Sequence, residues 1–160
     1  MNEPAKKKSS SVRWIFIVAG GCALCVPVIG ILAAIAIPAF ISYVRRSKVA
    51  EARAELMQVR ALVTERCAGG GLPERAGPQP PVPGAEKQLG DFRSDPVFAE
   101  LGYDPGVPVY YSYAIEPDAF GGVRLVARGD LDSDGHLSEH AIQCDATCAC
   151  GEITTIDELE

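Results

Sequence analysis

The densest set of cation-ligand side chains in the chain is one short run, Asp130-Leu131-Asp132-Ser133-Asp134-Gly135-His136-Leu137-Ser138-Glu139. Carboxylates at its first, third and fifth positions, a glycine at the sixth and an apolar residue at the eighth have the spacing of a calcium loop. Calcium takes roughly six to eight oxygens at about 2.3–2.6 Å. Asp130, Asp132, Asp134, the His136 carbonyl, Ser138 and water would supply them. The twelfth position, normally a bidentate glutamate, is Ala141; Glu139 stands two residues early and substitutes only if the loop is distorted. The missing ligand costs affinity, which an extracellular calcium supply tolerates. Magnesium, with its tighter geometry, fits less well. The other reading is a solvated hairpin turn, since Asp-Gly and Asp-Ser are ordinary turn formers. Calcium is the one cofactor the pattern suggests.

The six cysteines divide into two groups. Cys22 and Cys25 are spaced C-x-x-C inside an apolar run, where nothing lowers a thiolate pKa, so they read as small apolar filler. Cys67, Cys144, Cys148 and Cys150 are even in number and imply two disulfides, with three pairings open. Cys67 is expected to bond one of the other three, closing a loop of about 80 residues worth roughly 3–5 kcal/mol. A zinc site from His140, Cys144, Cys148 and Cys150 is the competing reading, although C-x₃-C-x-C is an unusual spacing. No nucleophile stands near His136 or His140 in any motif. The acidic cluster could do acid–base work only in a pocket that nothing here builds. Neither an enzyme nor a small-molecule substrate is expected.

Those residues must be positioned by a chain of 160 residues with net charge −6, and the charge is unevenly spread. Residues 1–68 carry ten Lys/Arg and four Asp/Glu (10 − 4 = +6), while residues 69–160 carry five and seventeen (5 − 17 = −12). The acidic part argues against nucleic-acid binding. From Trp14 to Val44 there is no charge over 31 positions. As a helix that is roughly 46 Å, against about 30 Å of bilayer hydrocarbon. A cleavable signal behind the leader Lys6, Lys7, Lys8 and Arg13 is an alternative, but the apolar stretch is too long and Ala34-Ile35-Ala36 too far along. A lipoprotein site at Cys22 would have only Trp14–Val18 as its apolar run, which is short. Arg45, Arg46 and Lys48 nearly balance the leader, so disulfide chemistry sets the orientation: N-terminus in the cytoplasm, C-terminus in an oxidising compartment. Pro27 and Pro38 should each kink or locally unwind the helix.

Past Val44 the helical pattern continues. Val49, Ala52, Leu56, Val59 and Val63 form one apolar stripe, with Arg46, Glu51, Arg53, Glu55 and Arg60 on the other faces. Gly69-Gly70-Gly71 should end it. One helix of about 55 residues, roughly 80 Å long, therefore begins apolar all round and finishes apolar on one side.

The stretch Gly30-Ile31-Leu32-Ala33-Ala34-Ile35-Ala36-Ile37-Pro38-Ala39-Phe40, followed by Ser42-Tyr43 and Arg46-Ser47-Lys48-Val49-Ala50-Glu51-Ala52, resembles the N-terminal helix of type IV pilins and the pseudopilins of type II secretion. Pro38 sits where that family carries its helix-bending proline. The resemblance covers residues 30–52 and implies an α+β, pilin-like fold: a long helix, membrane-spanning then amphipathic, packed on a small antiparallel sheet. It also implies packing or assembly through Gly30, Ile31, Leu32, Ile35, Ile37, Pro38, Phe40 and Tyr43. The partners would be the membrane and further copies or other pilin-like subunits. The place would be the bacterial inner membrane, single-pass with a periplasmic head, or outside the cell in a filament. Pilins often close their C-terminal region with a disulfide. Two departures stand out. The processing junction falls between Phe16 and Ile17, with Phe16 where the family has glycine, and the family's early glutamate falls at Gly21. That carboxylate pairs with a neighbour's N-terminal amine in the family. The departures favour a second outcome, a permanently anchored periplasmic domain whose head binds calcium or a protein.

Residues 69–90 read as a Gly/Pro-rich connector, extended and unpacked, with Pro73, Pro78, Pro80, Pro81 and Pro83. In the head, residues 91–160, Asp95-Pro96 opens a short helix that Gly102 closes. Three strands follow, along Val109–Ile115, Val123–Ala127 and His140–Cys144. Laid over the helical stripe they make an α+β roll. The remaining divisions are a leader at 1–13, a membrane half of the helix at 14–44 and an amphipathic half at 45–68.

Overall fold

A computed structural model of the chain describes the backbone of residues 11–157 and the side chains of residues 27–157. The leader lysines and the side chains of Arg13, Cys22 and Cys25 lie outside the described residues. The elements are α1 (Ser11–Gly70), β1 (Ala76–Gln79), α2 (Pro96–Leu101), β2 (Ser112–Pro117), β3 (Val123–Gly129), β4 (Ser138–Cys144) and β5 (Cys150–Ile156). Two compact units result, Met1–Ser42 and Tyr43–Glu160.

Within the first unit the described residues, from Ser11 on, are helical. Among the described residues one helix is long and apolar enough to cross a membrane, and its most apolar window has no buried residue. Helical structure runs unbroken through Pro27 and Pro38, so the expected local unwinding does not occur. The Ser42 hydroxyl donates to the Pro38 carbonyl at 3.0 Å.

In the second unit the rest of α1 lies against an antiparallel sheet of order β1-β2-β3-β4-β5. The architecture is α+β. Every stripe residue (Val49, Ala52, Leu56, Val59, Val63) is buried in one core with Ile115, Leu125 and Ile142 of the sheet. Phe92, Phe98, Tyr103 and Tyr113 extend that core, their rings meeting at tilted or edge-on angles with centroids 5.3–6.4 Å apart. The Tyr103 hydroxyl donates to Glu55 of α1 at 3.0 Å. Gly71, at φ +87°, terminates α1 by donating its N–H to the Cys67 carbonyl.

Asp95 caps α2 as expected, accepting from the Val97 and Phe98 amides, and Gly102 closes it at φ +69°. The same carboxylate accepts from the Gly77 amide at 2.8 Å, so one side chain fixes both α2 and β1. The second unit departs from the sequence expectation in three elements, and that contact belongs to the first. The connector is packed between 76 and 79, where β1 pairs with β2 (Ala76 with Ile115, Gln79 with Tyr113). Gly77 is required there, at φ +72°, since a Cβ would collide with the Tyr113 carbonyl oxygen. Second, the strand expected from Val109 starts at Ser112, and Val109 instead forms an isolated bridge to Gln88. Third, β5 completes a sheet of five strands in place of three.

Strand alternation sends Ala114, Val126 and Ala141 to the face opposite the core, where they lie side by side in register. Val126 is nonetheless fully buried. Arg124 and Arg128 flank it and reach diagonally across it, Arg124 to Glu139 and Arg128 to Glu116, while Arg128 also bonds Glu139 directly opposite, so that the four side chains roof Val126.

Candidate functional site

The acidic run forms the loop from Asp130 to Leu137, between Gly129 and Ser138, the last and first residues of paired strands. Leu131 is buried and anchors it. Ser133 (φ +62°) and Gly135 (φ +88°) turn the backbone. Asp130 accepts from the Gly135 amide through Oδ2 at 3.2 Å, and Asp134 from the His136 amide at 2.8 Å. These bonds gather the carboxylates: oxygens of Asp130, Asp132 and Asp134 lie within 4.8 Å of one another. Asp130 Oδ1 is buried and accepts no hydrogen bond. Arg45 of α1 reaches Asp132 at 2.9 Å, so a guanidinium already offsets part of this charge.

Of the six residues that the sequence proposes as ligands, three carboxylates come together and two side chains are committed elsewhere. Ser138 is buried and donates to the Gly129 carbonyl at 3.2 Å, closing the hairpin. Glu139 lies on the roofed face of the sheet between Arg124 and Arg128. Neither is a ligand as placed, and a cation here would rely on three carboxylates, main-chain carbonyls such as that of His136, and water. His136 itself is exposed.

The bidentate Arg128 guanidinium, 2.8 and 3.1 Å from the two oxygens of Glu116, holds that carboxyl below its ordinary value of 4.5. A carboxyl whose pKa is lowered by folding contributes stability that is complete above its unfolded value and vanishes as pH falls through the folded one. We therefore expect the urea midpoint to drop on acidification below about pH 4.5, and Arg128→Ala to flatten that slope relative to the parent.

The cysteines resolve as Cys67–Cys148 and Cys144–Cys150. With all four bonded, the zinc alternative is excluded; His140 is fully buried, its Nδ1 3.0 Å from the Thr155 hydroxyl. Cys144 and Cys150 sit directly opposite one another on β4 and β5. Cys148 occupies a left-handed turn (φ +71°) that Asp145 locks by accepting from the Thr147 and Ala149 amides. The three hydrogen bonds that Asp145 accepts hold its carboxyl below the usual range.

Along the apolar helix, Ile31, Leu32, Ile35, Ile37, Phe40 and Tyr43 are all exposed. Around Gly30 there is open space: a Cβ at that position would have nothing within 4 Å, so no contact inside the chain demands a glycine there. No family model, no curated protein and no solved structure matches the chain. Its function has to be read from its own residues.

One polar cluster has no counterpart in the sequence reading. Glu51 of α1 accepts from the Tyr110 amide at 2.8 Å and pairs with Lys87 at 2.6 Å. Lys48 and Lys87 approach the Tyr110 ring at 4.5 and 5.0 Å. It fastens α1 to the two segments joined by the Gln88–Val109 bridge. Helical i, i+3 spacing of Lys48 and Glu51 is its only trace in the sequence.

Proposed function

We propose that this chain is a structural subunit of the type IV pilin and pseudopilin class. Its apolar helix packs in the bacterial inner membrane or in a filament, and its disulfide-closed head faces the periplasm or the exterior. The observation that carries this reading is the exposure of Ile31, Leu32, Ile35, Ile37 and Phe40, each between 58% and 67%. At about 1.5–3 kcal/mol for each apolar side chain left in water, five of them forfeit an amount comparable to the whole stability of a domain. Lipid or neighbouring helices must cover them. The open space around Gly30 supports close approach by another helix, and Pro38 stands at the family's proline position. The two disulfides support an oxidising compartment.

N-terminal sequencing of the protein purified from its native membrane tests the proposal. A mature start near Ile17, Gly21 or Cys22 supports processing and assembly. An intact Met1 supports the second reading, a permanently anchored head.

That second reading is favoured by one observation of its own, the convergence of Asp130, Asp132 and Asp134 beside a buried, unbonded carboxylate oxygen. Calcium supplied at millimolar concentration should raise the melting temperature of the head, and Asp130→Asn together with Asp134→Asn should abolish the rise. An unchanged melting curve removes calcium from the account.

A further inference from the structure

We propose that the native disulfides of this chain are reached by thiol–disulfide exchange, so that a catalyst bearing a free thiolate must act on the chain before its core closes. The proposal needs only the oxidising compartment read above and is independent of assembly.

The pairing is crossed. In chain order the bonded cysteines are Cys67, Cys144, Cys148 and Cys150, and the bonds join the first to the third and the second to the fourth. Synthesis delivers them in that order, so the first partner that Cys67 meets is Cys144, which is the wrong one. Loop closure also favours mispairing. Cys67 and Cys148 lie 81 residues apart, against six for Cys144 and Cys150. With closure falling as about the −3/2 power of loop length, a bond between Cys144 and Cys150 forms roughly 50-fold faster than one from Cys67 to Cys148. Cys148 is nearer still to Cys144, only four residues on, and a Cys144–Cys148 bond consumes the sulfur that Cys67 needs.

Folding does not select the right sulfurs first. Cys144 and Cys150 face one another only once β5 pairs with β4, and β5 is an edge strand. Of its seven residues only Cys150 and Ile153 pack against the core, so little fixes its register before the bond closes. The rival partner is close at hand. The Cys150 sulfur lies 3.9 Å from the Thr64 hydroxyl, and Thr64 stands one helical turn before Cys67 on the same side of α1. Cys67–Cys150 with Cys144–Cys148 is therefore a compact mispairing. Its repair conserves electrons. The catalyst thiolate attacks the Cys148 sulfur and expels the Cys144 thiolate, which attacks Cys150 and expels the Cys67 thiolate. Cys67 then attacks the mixed disulfide at Cys148 and returns the catalyst thiolate, so two disulfides become two others and nothing is oxidised or reduced. Cys148 is partly exposed and Cys144 fully buried in the finished structure, which places the attack at Cys148 and before the core covers Cys144.

The test uses the full chain with Cys22→Ala and Cys25→Ala, so that only four thiols oxidise, reduced in urea and diluted into detergent micelles. Oxidation by diamide, which leaves no free thiol, should give the native pairs in about one chain in three, the share expected from three possible pairings. A mixture of reduced and oxidised glutathione should raise that share about threefold, read by tandem mass spectrometry of the linked peptides. Adding Cys144→Ser and Cys150→Ser removes the competitors, and Cys67–Cys148 should then close with diamide alone. Native pairs in nearly every chain under diamide, no rise with glutathione, or a Cys67–Cys148 yield in the Cys144→Ser, Cys150→Ser chain no higher than in its parent would each overturn the proposal. None of these outcomes bears on whether the helices assemble, which N-terminal sequencing addresses separately.

Discussion

Removing the Cys67–Cys148 bond with paired alanines should lower the stability of the chain by about 4–5 kcal/mol, the largest loss expected from any one link. The bond joins residues 81 apart, so it withdraws far more freedom from the unfolded chain than Cys144–Cys150, which joins residues six apart. The same loop-closure relation gives the short link about 2 kcal/mol. Location reinforces the difference: the long link ties the last turn of α1 to the turn before β5, whereas the short one joins strands already paired. Urea unfolding of both double-alanine variants under oxidising conditions measures each loss. Equal losses, or a larger one for Cys144–Cys150, would show that the long bond does not hold helix to sheet.

Leu56→Ala should cost about 3–4 kcal/mol, the usual penalty for truncating a leucine in a core that cannot collapse around the void. Leu56 is 1% exposed and packs centrally in the stripe between Ala52 and Val59. The neighbouring Met57, turned about 100° away round the same helix, is 50% exposed, and Met57→Ala should cost less than about 0.5 kcal/mol. The contrast between adjacent positions isolates packing from helix propensity, because alanine favours helix at both. Similar effects at 56 and 57 would mean that the sheet does not lie on the stripe.

Much of this architecture is legible in the sequence because local and tertiary preferences agree there. The five-residue stripe of α1 announces its buried face at helical spacing, and Asp95-Pro96 with Gly102 marks both ends of α2 through capping chemistry alone. Disagreement begins where position in the sheet overrides local preference. Pro78 and Pro80 argue against a strand anywhere but at an edge, and β1 is an edge. β5 is the other edge, with only Ile153 packed against the core among its β-branched residues, so its alternation is faint. The disulfide pairing requires the β4–β5 register, which no spacing of cysteines contains.

The acidic loop shows the same division. Asp130, Asp132 and Asp134 converge because a turn brings neighbours in sequence together. Glu139 resembles a fourth ligand by proximity along the chain, yet it already belongs to β4. There the pairing of Arg128 with Glu139 commits its carboxylate to the roof over Val126. Strand parity, applied to the alternation of Arg124, Val126 and Arg128, could have revealed this.

The proposed function requires the uncharged helix to leave water and the head to stay in it. The direct measurement combines alkaline extraction of native membranes with labelling by a membrane-impermeant maleimide at Leu89→Cys, a position of the second unit that is 73% exposed. The chain should remain in the membrane pellet and be labelled from the periplasmic side without lysis. Release into the alkaline supernatant, or labelling only after the inner membrane is opened, would contradict the account.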